Sequence, residues 1–130
     1  MSILGPSSLP YDLYDLVQLS PNDVGCIVKM EKDVFTPLDP YNNITRVKPL
    51  QIRNKRDSGR AVTSDVNGRP ITAKDSVMII DDSIVRKQAT VLHVYRSFVY
   101  IQSRDSAENG GVSCVRNTSV AAIVGKGIFF

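Results

Sequence analysis

The sequence predicts an all-β chain built from two copies of one small strand meander. Three observations carry that expectation. Helical periodicity is almost absent from the 130 residues: apolar side chains come in short runs rich in β-branched residues, broken by Gly, Asn, Asp and Pro. The breaks have turn chemistry, as at Ser20-Pro21-Asn22-Asp23, Asp39-Pro40-Tyr41-Asn42-Asn43, Asn67-Gly68 and Glu108-Asn109-Gly110-Gly111. Finally, the chain repeats itself.

In chain order, strands are expected over residues 15–19, 24–30, 34–38 and 44–47, with 49–52 closing the first copy. Glu31-Lys32-Asp33 is a charged turn, and Pro37, which cannot donate to a ladder, calls for an edge position or a bulge. Residues 53–60 are polar and basic and read as a connector. Strands 61–64 and 69–72 then flank Asn67-Gly68. Further strands follow at 76–80, 89–95, 98–102, 112–115 and 119–124, with a polar loop over 81–88 interrupted by Ile84-Val85.

A shift of 64 residues lays Gly25-Cys26-Ile27-Val28-Lys29-Met30 on Ala89-Thr90-Val91-Leu92-His93-Val94, and Val34-Phe35-Thr36 on Phe98-Val99-Tyr100. Past the next hairpin the shift becomes 68, so Ile44, Val47, Lys48 and Ile52 fall on Val112, Val115, Arg116 and Val120. Upstream, Val17 and Leu19 match Val77 and Ile79 at a slightly shorter offset. Five short strands in about 45 residues curl naturally into a small barrel that hides its edges. Each copy is near the lower size limit for folding alone, so the two are expected to pack together as a tandem. The expected layout is a disordered lead-in over 1–10, a first barrel over 11–53, a basic connector over 54–59, a second barrel over 60–124 and a tail over 125–130.

Composition narrows the function. No apolar run approaches the roughly 20 residues that cross a bilayer, and the first ten residues lack the basic start and apolar core of a signal peptide. The net charge of +3 permits contact with phosphate without demanding it. Cys26 and Cys114 match no metal spacing and no disulfide framework, and read as buried thiols in a reducing compartment.

Two segments carry a resemblance. Leu16-Val17-Gln18-Leu19 followed by Val24-Gly25-Cys26-Ile27-Val28, and Asp75-Ser76-Val77-Met78-Ile79-Ile80-Asp81 followed by Ala89-Thr90-Val91, both resemble the KOW motif, although Ala89 stands where that motif has glycine. More specific strings are Asn54-Lys55-Arg56-Asp57-Ser58-Gly59-Arg60-Ala61-Val62, His93-Val94-Tyr95-Arg96-Ser97-Phe98 and Glu108-Asn109-Gly110-Gly111-Val112. They resemble the second and third KOW domains of the large subunit of DSIF, the eukaryotic relative of bacterial NusG, in wording like that of fungal members. The resemblance implies KOW barrels of the Tudor-like and SH3-like kind, in a fragment of a nuclear transcription elongation factor. It also implies docking on RNA polymerase II near the RNA exit, support of processive elongation, a link to mRNA processing, and a small zinc-binding partner subunit bound outside this segment. No cofactor is implied.

The residues themselves point to binding rather than catalysis. His93 has no evident nucleophile or orienting carboxylate in sequence and reads as a strand-surface or interface residue. Asp81-Asp82 reads as turn chemistry rather than a metal site, and Gly125-Lys126-Gly127 lacks the strand-turn-helix context of a phosphate loop. Candidate contacts to nucleic acid or polymerase are the cations Arg46, Lys48, Arg53, Lys55, Arg56 and Arg60, with Arg86, Lys87 and Arg96 in the second copy. Three readings of the basic segment stay open: phosphate contact by counterion release, pairing with carboxylates on a protein surface, and plain solubility. A direct RNA- or DNA-binding module is thus the alternative function, and a ribosomal or chromatin-reader barrel a weaker one. Phe98, opposite Val34 in the repeat, is expected in the core. Tyr95 and Tyr100 are too few for an aromatic cage.

Overall fold

A computed structural model describes residues 10–81 and 87–123. The lead-in through residue 9, Asp82, Ile84-Val85, Arg86 and the tail from 124 onward lie outside the described residues. Those described form β-strands, turns and short 3-10 segments, with no α-helix among them. They fall into two units, one ending at Asp57 and the other starting at Ser58.

In the first unit β1 (Leu16–Ser20), β2 (Asp23–Met30), β3 (Phe35–Leu38) and β4 (Asn54–Lys55) form an antiparallel sheet in the order β3-β2-β1-β4. Val17, Ile27, Phe35 and Ile52 make its core, with Tyr11, Leu19, Met30 and Val47 packed against it. Two expectations change here. Residues 44–47 are not a regular strand; they touch β3 through the bridges Phe35–Val47 and Leu38–Ile44, and Pro49–Gln51 is a single 3-10 turn. The expected connector also begins later, because Asn54 and Lys55 pair with Gln18 and Val17. The flanking N–H groups of Arg53 and Arg56 donate to the carbonyls of Gln18 (2.8 Å) and Leu16 (2.7 Å). A two-residue polar strand held by main-chain bonds leaves no apolar signature in the sequence.

In the second unit β5 (Thr63–Ser64) and β6 (Pro70–Ile71) make a hairpin. The main sheet has β7 (Ser76–Ile79), β8 (Lys87–Tyr95), β9 (Phe98–Gln102), β10 (Val112–Arg116) and β11 (Val120–Ala122) in the order β10-β9-β8-β7-β11. Its core is Ile71, Val77, Ala89, Val91, Val94, Val99, Ile101 and Val120. β8 starts two residues before the expected strand. The turn into β10 holds Asn109, Gly110 and Gly111 at φ of 53°, 68° and 83°; a side chain on Gly111 would run into the Ser103 carbonyl oxygen. The main sheets have four and five strands, and among the described residues no ladder joins the outer strands of either, so two closed five-stranded barrels are not found.

The two units share one register. Cys26–Leu38, Ile27–Pro37, Lys29–Thr36 and Met30–Phe35 in the first unit correspond, 64 residues on, to Thr90–Gln102, Val91–Ile101, His93–Tyr100 and Val94–Val99. The bulge between Ile27 and Lys29 recurs between Val91 and His93. With the shift of 68, the two bridges of residues 44–47 become the β9–β10 pairs Val99–Val115 and Gln102–Val112. Both main sheets thus follow one order, the first with its outermost strand reduced to two bridges.

Gly25 and Ala89 hold equivalent places, opposite Val17 and Val77. Gly25 is not needed for a left-handed backbone. A Cβ there would sit 2.6 Å from the Cβ of Pro37. In the second unit Ile101 replaces that rigid ring, and Ala89 fits. Gly25→Ala should therefore destabilise the first unit by about 1–3 kcal/mol through overpacking, seen as a lower urea midpoint and faster amide exchange in β1 and β2, with β7–β10 unchanged.

Asp65 ties the β5–β6 turn to the main sheet. It is 4% exposed. Its carboxylate accepts N–H bonds from Asn67 (2.8 Å), Arg69 (2.7 Å) and Ala122 on β11 (2.7 Å). Burial alone would raise its pKa; the bonds from Ala122, Arg69 and Asn67, with the Arg69 charge, outweigh that and hold it below 3.8. A depressed carboxyl stabilises the fold fully above its unfolded pKa, and that contribution is lost as pH falls through the folded value. Asp65→Asn is expected to cost about 2–4 kcal/mol at neutral pH. The gap to wild type should stay constant above about pH 5 and shrink below pH 4; equal stability of the two proteins at pH 7 would refute the role.

Candidate interaction surface

The cations singled out in the sequence do not form one free basic strip. In the first unit Arg46 lies 3.5 Å from Glu31, both side chains well exposed. Lys55, projecting from β4, lies 3.5 Å from Asp15. The Arg56 guanidinium donates to Gln18 Oε1 at 2.9 Å. Gln18 is 9% exposed, so Arg56 is anchored on the sheet rather than floating in a linker. Exposed ion pairs of this kind contribute under about 1 kcal/mol each. Lys48, Arg53 and Arg60 are exposed at separate points: beside the 3-10 turn, beside β4, and at the start of the second unit.

The second unit carries a tighter arrangement. The β8–β9 hairpin closes on the pair Tyr95–Phe98, and Arg116 at the end of β10 pairs with Phe98. The Arg116 guanidinium lies 4.8 Å from the centroid of the Phe98 ring, and that of Arg96, in the loop, 5.0 Å from that of Tyr95. These are cation–π distances. Arg116 was not among the expected contacts; its alignment with Lys48 in the repeat was the available signal. Phe98 is half-buried beneath it rather than in the core, and the fully buried ring of β9 is Tyr100. Lys87 stands exposed at the start of β8, and Arg86 lies outside the described residues. Charge is divided unevenly. Through Asp57 the sequence has seven basic and seven acidic residues; from Ser58 onward it has nine and six, so the second unit accounts for the whole +3.

His93 has a partner that the sequence did not reveal. Its Nδ1 is 2.5 Å from the Ser58 hydroxyl. Ser58 is 7% exposed, so the bond fastens the start of the second unit to β8 and offers solvent no nucleophile. Among the described residues no group of three or more His, Cys, Asp or Glu is placed to hold a metal ion, and no helix is long and apolar enough to cross a membrane.

Two sheets of one order and register, the second with arginines set over aromatic rings, and no metal-holding cluster among the described residues, fit a duplicated β module of the KOW class. Residues 8–55 match the KOWx domain of transcription elongation factor SPT5, and residues 63–117 its fourth KOW domain. The chain is 39% identical over 117 residues to transcription elongation factor spt5 of Schizosaccharomyces pombe, covering 90% of this chain and 12% of that protein. It is 37% identical over 118 residues to the Aspergillus fumigatus protein of that name (90% and 11%), and 38% over 120 residues to that of Mycosarcoma maydis (91% and 13%). The chain belongs to the SPT5 family, as a KOW segment of the fungal kind spanning about an eighth of these relatives. The resemblance named the right family; the domains matched are KOWx and the fourth KOW rather than the second and third. Strings shared among KOW copies identify the family without counting the domains that precede them.

Both cysteines are buried, as expected. The Cys26 thiol is 3.5 Å from the Tyr14 carbonyl oxygen, which accepts its weak S–H bond. Burial, and next the Asp15 carboxylate, push its pKa from 9.0 up to about 12. A neutral, enclosed thiol is inert. Iodoacetamide at pH 8–9 should leave Cys26 unmodified in the folded chain and alkylate it fully in denaturant, read by mass spectrometry. Alkylation at the native-state rate of a free thiol would contradict this packing.

Proposed function

We propose that this segment is a non-catalytic docking module of a nuclear transcription elongation factor, binding RNA polymerase II and supporting processive elongation. The observation that carries the reading is the paired match to two KOW domains of SPT5 across most of the chain. Each unit is read as a small KOW barrel of the SH3-like kind, which the common strand order of the two sheets supports. The small zinc-binding subunit is proposed as a partner of the longer protein rather than of this segment. A second reading, direct contact with an RNA or DNA backbone, draws on Lys48, Arg53 and Arg60, which are exposed with no acid within ion-pair distance among the described residues. The immobilised chain should capture purified RNA polymerase II after nuclease treatment. Capture that disappears with nuclease, and nucleic-acid affinity that falls steeply with salt and with Arg53→Ala plus Arg60→Ala, would replace docking by the second reading.

A further inference from the structure

We propose that the β8–β9 turn of the second unit is a recognition site for a carboxylate-bearing protein segment, gripped by the stacked guanidinium groups of Arg96 and Arg116. The site is built and braced. Tyr95, Phe98 and Arg116 sit side by side across three strand ends, and each arginine lies over one ring. The Asn117 N–H donates to the Ser97 carbonyl at 2.8 Å, and the Asn117 side chain donates to the Ser64 carbonyl at 2.7 Å, so the loop is tied to a residue that is itself held by β5. Stacking restrains each guanidinium, which reduces the rotamer entropy lost when its N–H edge meets an oxyanion. Neither arginine has a carboxylate within ion-pair distance among the described residues.

Two further features separate this turn from an ordinary hairpin. Arg96 adopts φ 58°, a place where two-residue hairpin loops favour Gly or Asn and where another L residue costs about 1–2 kcal/mol. The first unit supplies an internal control. At the corresponding places it has Glu31, Lys32, Asp33, Val34 and Lys48: no ring, one cation of each stacked pair replaced by an unstacked lysine, and two acids. Lys32 is not left-handed, and Glu31 faces Arg46. The same scaffold therefore closes this hairpin without strain or stacking, and the arginine–aromatic pairs are an addition of the second copy.

The chemistry favours a protein over a nucleic acid. Guanidinium forks match planar carboxylates bidentately. The two ring faces that a base would stack on are covered by the arginines, and Tyr95 is only 7% exposed. Two cations displace only about two counterions from a nucleic-acid backbone, so phosphate contact alone would contribute little here. Arg and Tyr with little Lys is the composition of protein-interface anchors.

This inference stands without the polymerase reading, because the test uses neither polymerase nor its nucleic acids as the target. Binding of a fluorescent oligoglutamate peptide to the whole 130-residue chain is measured by anisotropy, with an oligouridylate of equal charge in parallel. Amide spectra confirm that each variant stays folded. Wild type should bind the peptide, and Arg96→Gln or Arg116→Gln should each weaken it about tenfold. Arg96→Lys with Arg116→Lys should lose most of the affinity although the charge is kept. Lys29→Gln, at an exposed cation of the first unit, serves as a control and should change nothing. No peptide binding, affinity untouched in the glutamine variants, or affinity retained in the lysine variant would each overturn the proposal. Tighter binding of the oligouridylate, lost in the same variants, would reassign the site to nucleic-acid phosphate.

Discussion

The one-residue bulge in the second strand of each repeat decides what each sheet buries and what it displays. In a regular strand, residues three apart point to opposite faces. Yet Ile27 and Met30 both pack on the first core, and Val91 and Val94 both belong to the second. The extra residue between Ile27 and Lys29, and again between Val91 and His93, resets the alternation and allows this. Everything downstream inherits that reset. Tyr95 follows Val94, buried but outside the main core cluster, Phe98 is drawn opposite Tyr95, and Arg116 arrives opposite Phe98. Without the bulge, one register step would exchange buried and displayed residues along the strand end.

The bulge also explains how much was legible in the sequence. The repeat, with its shifts of 64 and 68, lays the four β2–β3 pairs on four of the five β8–β9 pairs and residues 44–47 on β10, because cross-strand packing constrains side chains in both copies alike. What remained hidden is held by main chain or by distant pairing. β4 is two polar residues with no apolar pattern. Asp65 looks like a turn former, and only the fold brings the Ala122 N–H to its carboxylate. Ser58 and His93 are 35 residues apart and share no pattern. Phe98 was assigned to the core through its match with Val34, but a larger ring at a strand end stays half out and becomes a platform for Arg116.

Identical registers make the differences between the copies informative. The cross-strand row Leu16–Cys26–Leu38 is wholly buried in the first unit. At the same register the second unit places Ser76–Thr90–Gln102, exposed or half-buried. These three help line an open groove of about 560 Å³ with Gln88, Ala89, Arg104 and Asp105. Burial in the first row is the larger cause of the raised Cys26 pKa, and the Asp15 carboxylate the other. Gly25 with Pro37 against Ala89 with Ile101 is a second paired exchange, in which one partner's bulk sets the other's size.

Such exchanges leave backbone and strand order alone while moving charge and chemistry onto one copy. The first unit pairs several of its cations with its own groups: Arg46 with Glu31, Lys55 with Asp15, Arg56 with Gln18. Seven acids balance its seven bases. The second spends its buried acid, Asp65, on internal N–H groups and holds Arg96 and Arg116 over rings, with no carboxylate within ion-pair distance among the described residues. A pair held by charge neutralises a surface. A guanidinium held by a ring keeps its charge available while losing its freedom. Two units with one fold thus differ in the physical means by which they fix their arginines, and that difference, more than the basic run around residue 55, distinguishes the surface of the second unit from that of the first.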